Sequence, residues 1–191
     1  MSKKSTSKRS ERKHNTAEEF TPAALVNETL DRLERLSKNI FKDPTKTYLD
    51  PACGNGNMMI ETLRKKIISG NDPLQALQTI FGCDCMRDNI MECRLRLLGL
   101  VREFNFKITY DMCKAVLTNV VWTPIGERYP EGSLSYLDGN EFERTPDKKD
   151  VERLLEVING KAEANEELDV KEAETIQEAM GWMTGVFEIE K

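Results

Sequence analysis

The segment TYLDPACGNGNMMIE, residues 47–61, constrains the fold of this chain more than any other stretch. The short run TYLD reads as a buried strand. PACGNGN follows as a turn whose glycines can take positive φ, and a helix resumes with Ile60, Leu63 and Ile67 on its buried face. A strand, a glycine-bearing turn and a helix in that order predict the opening unit of a parallel sheet.

The flanking segments agree with that reading. FTPAALVNETLDRLERLSKNI predicts a helix, with Thr21 placed to cap it, Pro22 suited to its first turn, and Val26, Leu30, Leu33 and Ile40 at helical spacing. Residues 69–73, SGNDP, end the helix after the turn and start another short one through Leu77. TIFGCD reads as a second strand, and RDNIMECRLRLLGLVREF places Ile90, Cys93, Leu97, Val101 and Phe104 on one helix face. A third strand is expected at AVLTNVVW. Beyond an irregular stretch, VERLLEVI and KEAETIQEAMGWM suggest helices and GVFEIE a terminal strand. The alternation predicts an α/β domain with a parallel sheet and right-handed crossovers.

With 191 residues the chain suits one domain plus tails. Only 39% of it is apolar and 32% is charged, which places solvated segments at the ends. Residues 1–17 are expected to form a disordered basic arm, 18–140 the α/β domain, and 141–191 an acidic, mostly helical segment. The arm can hold a nucleic-acid backbone by counterion release, or serve only as a solubilising tail. The acidic segment would repel DNA, so it is expected to face away from it or to contact a protein partner. No apolar run approaches the roughly 18 residues a bilayer span needs, and no secretory signal is visible, so a cytoplasmic protein without membrane contact is expected. Five cysteines without a C-x-x-C pair, and one histidine in the basic arm, predict no metal site and thiols that are reduced and mostly buried.

In an open parallel sheet, ligands settle at the carboxyl ends of the strands, which is where residues 50–57 fall. Gly54 and Gly56 would let the backbone approach a ligand, and the amides opening the next helix favour an anionic group. Asp50 could meet a cationic amine. A zwitterionic amino acid such as methionine suits this combination better than a pyrophosphate, and Asp84, near the end of the second strand, could accept two ribose hydroxyls. Both aspartates could instead cap helices.

These residues resemble a known family. LDPACGNGN resembles the S-adenosylmethionine motif of amino-methylating DNA methyltransferases, in particular those acting on the exocyclic amine of adenine. FTPAAL, residues 20–25, resembles their Thr-Pro segment, and FGCDCMRDNIMECRLRL their second-strand segment. The resemblance spans residues 19–104. It implies a Rossmann-like methyltransferase sheet with flanking helices, incomplete at the C-terminal side, with S-adenosylmethionine as cofactor and DNA as partner. By position it implies that Phe20, Thr21 and Pro22 line the cofactor, that Asp50, Ala52, Gly54 and Gly56 cradle its methionine end, that Asp84 holds its ribose, and that Cys85 and Met86 flank its adenine. Small, motif-reduced chains of this kind resemble proteins carried by tailed phages, which would place this one in the host cytoplasm.

The family holds the acceptor amine with an Asn or Asp followed by Pro-Pro and an aromatic residue, and no Pro-Pro pair occurs in this sequence. The nearest segment is Trp122-Thr123-Pro124-Ile125, which makes Thr123 and Pro124 the weak catalytic candidates. It could equally correspond to the preceding family motif. Two functional expectations therefore stand side by side: a DNA (adenine) methyltransferase, or a methyltransferase-derived module that binds cofactor and nucleic acid or a protein without catalysis. Trp122, Tyr129 and Tyr136 could stack on bases or pack in the core, and Cys83 and Cys85 read first as buried packing residues. A chain of this length is expected to lack a separate target-recognition domain, so sequence specificity would be poor or supplied by a partner.

Overall fold

The computed structural model describes residues 21–122 and 145–163. Phe20, the basic arm, Thr123, Pro124, Tyr129, Tyr136, and the helix and strand expected after residue 170 lie outside the described residues.

Helix α1 (Ala23–Leu36) is followed by β1 (Tyr48–Asp50), α2 (Asn57–Ile68), α3 (Pro73–Gln78) and β2 (Ile80–Asp84). Then come α4 (Arg87–Glu103), α5 (Tyr110–Asn119), β3 (Val120–Trp122) and α6 (Lys148–Glu163). The strands form a parallel sheet in the order β1-β2-β3. The expected α/β architecture with a parallel sheet is therefore present.

Two local expectations are corrected. Thr21 does not cap α1, because Pro22 in an extended conformation takes the N-cap position and its carbonyl accepts the Val26 amide at 3.0 Å. Ile40 is not on that helix either. The chain leaves it at Ser37 and turns through Asn39 at φ 62°, yet Ile40 still packs beside Val26, Leu30 and Phe41. The third strand is the larger correction. AVLTNVVW is helical through Asn119, and only its last three residues are strand. The helix wins because Thr109 caps it, its hydroxyl accepting from Met112 N, and because Met112, Cys113, Val116 and Leu117 share one buried face at helical spacing.

One core joins the sheet to its helices. Gly82 in β2 lies so close to α2 that a Cβ there would meet Met59 Sδ at 2.4 Å, and Cys93 of α4 touches the same sulfur at 3.7 Å. Val151, Leu154 and Ile158 of α6 belong to this cluster and are fully buried, so the core runs past residue 140. Each such side chain contributes about 1.5–3 kcal/mol of burial. Arg94 crosses the interior from α4. Its guanidinium donates to the carbonyls of Leu117 and Val120 where α5 turns into β3. Burial pushes its pKa down to about 10. Its charge stays tolerable because the Val120 and Leu117 carbonyls, together with Met91 Sδ, receive its donors in place of water.

Because all three strands run the same way, Asp50, Asp84 and Trp122 reach one rim of the sheet together. Among the described residues nothing pairs with the outer edge of β1, and no helix is long and apolar enough to cross a membrane.

Candidate ligand-binding site

The turn after β1 is held by hydrogen bonds from its own backbone to β2. Cys53 N donates to Cys83 O at 2.9 Å, and Gly54 N donates to Asp84 Oδ2 at 2.9 Å. Gly54 at φ 52° and Gly56 at φ 90° turn the chain into α2. At Gly56 a side chain is excluded twice over, by the left-handed backbone and by Cys93 Sγ, which a Cβ would approach to 2.5 Å. Gly56 is the N-cap of α2 and supplies no side-chain bond, so the first-turn amides of a twelve-residue helix stay available to an anionic group.

The two aspartates stand beside these amides and do different things. Asp84 is buried and heavily engaged: Oδ2 takes Gly54 N, while Oδ1 takes Met86 N at 2.8 Å and Asn89 Nδ2 at 3.4 Å. With three of roughly four lone-pair sites occupied, it can accept one ligand hydroxyl directly. A second hydroxyl requires the long Asn89 contact to yield. Asp50 is less committed, accepting only Ala52 N, at 3.3 Å, among the described residues. Burial pushes its pKa above the ordinary carboxylate value, and Asp84 pushes in the same direction against the Ala52 bond. A cation placed between these carboxylates would relieve both effects.

Thr21 is brought to the same place from 36 residues away, its carbonyl accepting Asn57 Nδ2 at 3.1 Å at the start of α2. Pro22 follows it, exposed. On the other side of Asp84, Met86 is the N-cap of α4 and Cys85 is exposed. The exposure of Cys85 corrects the expectation of burial, because the strand ends at Asp84 and alternation no longer fixes the next side chain. Cys83 is buried as expected, as are Cys53, Cys93 and Cys113. Trp122 packs partly against the core, donates Nε1 to Cys85 O at 2.9 Å, and carries the Arg87 guanidinium 4.0 Å from its ring centroid. Thr21, Asp50, Ala52, Gly54, Gly56, Asp84, Cys85 and Met86 thus share the carboxyl rim of the sheet, with Pro22 next in the chain.

Several contributors were not foreseen from the sequence. Asn57 ties Thr21 to the loop, and Asn89, Glu92 and Arg96 line α4 beside it. Spacings of three and four residues put the last three on one stripe next to the apolar face, which is the signal that could have revealed them. No cluster of three or more metal-ligating His, Cys, Asp or Glu side chains occurs among the described residues.

The arrangement suits a ligand carrying a cationic group toward Asp50, an anionic group toward the amides of α2, and a hydroxyl toward Asp84. No family model, curated protein or solved structure matches the chain.

Proposed function

We propose that the chain binds S-adenosylmethionine at this rim and that its domain is the methyltransferase variant of a Rossmann-like fold. The observation that carries the reading is the hydrogen bond from Gly54 N to Asp84, which places the glycine loop and the second-strand acid in one site. The uncapped start of α2 fits the carboxylate of the methionine portion, Asp50 fits its ammonium, and Asp84 fits a ribose hydroxyl. Thr21 and Pro22 would border the methionine end, with Phe20 preceding them, and Cys85 and Met86 the adenine. When bound, the cofactor supplies an electrophilic methyl group. The activity proposed for it is transfer to an exocyclic base amine of DNA, with adenine as the acceptor base and the basic arm holding the phosphate backbone.

A second reading, a cofactor-binding module without catalysis, is favoured by two observations. Thr123 and Pro124 follow β3, which pairs with β2 on the side away from β1. At about 4.8 Å per strand spacing, the end of β3 stands about 10 Å from the end of β1. The loop and acid assigned to the cofactor sit on the ends of β1 and β2, so the end of β3 is the part of the rim farthest from the turn after β1. The sequence also lacks the Pro-Pro pair with which the resembled family holds its acceptor amine, and this favours binding without transfer.

Calorimetric titration of the full chain with S-adenosylmethionine, followed by a radiolabelled methyl-transfer assay on unmodified DNA, separates the readings. Binding with transfer is the result expected of the enzyme. Binding without transfer selects the non-catalytic module, and absence of binding overturns both.

A further inference from the structure

We propose that Glu92 and Arg96 are positioning residues that fix the glycine loop in its ligand-ready shape by gripping Asn55. Asn55 lies between Gly54 and Gly56 and is the one side chain between the two left-handed positions. Its amide donates Nδ2 to Glu92 Oε1 at 2.9 Å, while Arg96 Nη1 donates to its backbone carbonyl at 2.8 Å. Glu92 and Arg96 face each other across 4.0 Å, one helical turn apart on α4. The sheet holds the loop through Cys53 and Gly54, and α4 holds it through Asn55.

Burial alone does not account for Asn55. The residue is only 7% exposed, yet its Oδ1 has no hydrogen-bond partner among the described residues. A small apolar residue would fill the space without stranding an acceptor, so the N–H group reaching Glu92 is what the position requires. Flanking glycines make the grip necessary, because they leave the loop more backbone freedom than any other residue type would. Glu92 and Arg96 are partly exposed, at 21% and 35% of their side-chain surface, so replacing them alters the loop without opening the core.

In its functional part this inference rests on the cofactor reading, so the test has a readout that needs no ligand. Amide hydrogen exchange at Gly54 and Gly56 is measured in the unliganded full chain, for wild type, Glu92→Ala, Arg96→Ala and the conservative Glu92→Gln. Both alanine variants are expected to speed exchange at these amides about tenfold while β2 amides keep their rates, and Glu92→Gln, which retains an acceptor, is expected to stay near wild type. The same alanine variants are expected to weaken S-adenosylmethionine binding about tenfold. Unchanged loop exchange in both would overturn the inference, as would equal acceleration throughout β2. Should Glu92→Ala fail to fold, Arg96→Ala and Glu92→Gln decide. Faster loop exchange in a chain whose wild type does not bind the cofactor would remove the cofactor reading and leave the clamp standing.

Discussion

Replacing Gly56 by alanine loads two penalties on one position. The backbone there has φ 90°, and holding an L-residue in the left-handed region costs about 1–2 kcal/mol. The new Cβ would also stand 2.5 Å from Cys93 Sγ and 3.3 Å from Cys93 Cβ, so α4 or the loop must shift, and overpacking of this kind costs about 1–3 kcal/mol. The expected loss is therefore about 2–5 kcal/mol, a large part of the roughly 5–15 kcal/mol that holds a typical domain. Urea denaturation followed by far-ultraviolet circular dichroism measures it, provided the m-value is unchanged. The steric share is separable from the conformational one. In a Cys93→Ala background the sulfur is gone, and the same glycine substitution should cost about 1–3 kcal/mol less, leaving chiefly the backbone term. Effects of the two substitutions that add to within about 0.5 kcal/mol would refute the steric reasoning.

Gly82→Ala should cost less than Gly56→Ala in the same assay, since its obstacle at 2.4 Å is the flexible Met59 sulfur and its backbone is not left-handed. Asp84→Asn should lower stability by about 1–3 kcal/mol, because two backbone N–H groups converge on the carboxylate and one would then face an amide NH2. A thermal or urea midpoint equal to wild type would contradict that account. At Asp50 the sign follows from its raised pKa. The fold disfavours the ionised carboxylate, so a penalty is absent below the unfolded value of 3.8 and grows as pH rises through the folded value. Asp50→Asn should accordingly be more stable than wild type at pH 7 and equal to it at pH 3. S-adenosylmethionine binding should show the opposite trend, weaker in Asp50→Asn at pH 7 and, in wild type only, falling as the pH is lowered through that folded value. Calorimetry at several pH values in both proteins checks this.

The first two strands, the glycine turn and the two aspartates are legible in the sequence because each leaves a local mark: TYLD and TIFGCD are short runs with apolar centres, and Gly54 and Gly56 punctuate the chain between them. Residues 115–122 read as strand for an equally local reason, although the structure makes them helix through Asn119. Ala115–Val116–Leu117 and Val120–Val121 look continuous as a β-rich run, whereas Thr109 and the spacing of Met112, Val116 and Asn119 belong to a helix. Asn119 confirms the difference physically, being buried with Nδ2 bonded to Leu77 O, a contact no local pattern announces. For Glu92 and Arg96 the sequence carries only their spacing on one stripe of α4 beside the apolar face; that this stripe meets Asn55 follows only once α4 is laid against the loop.

The hydrogen bonds that build the rim join residues far apart in the chain: Gly54 to Asp84 across 30, Thr21 to Asn57 across 36 and Asn55 to Arg96 across 41. Contacts of such sequence separation must wait for the intervening helices to collapse, and they slow folding relative to the local turns of α2 or α4. The loop's bonds to Asp84 and Arg96 can form only once the chain has been made through α4, so the complete rim is a property of the assembled sheet and helices and not of the turn alone. A ligand held there would bind the assembled fold and so raise the unfolding midpoint as its concentration rises.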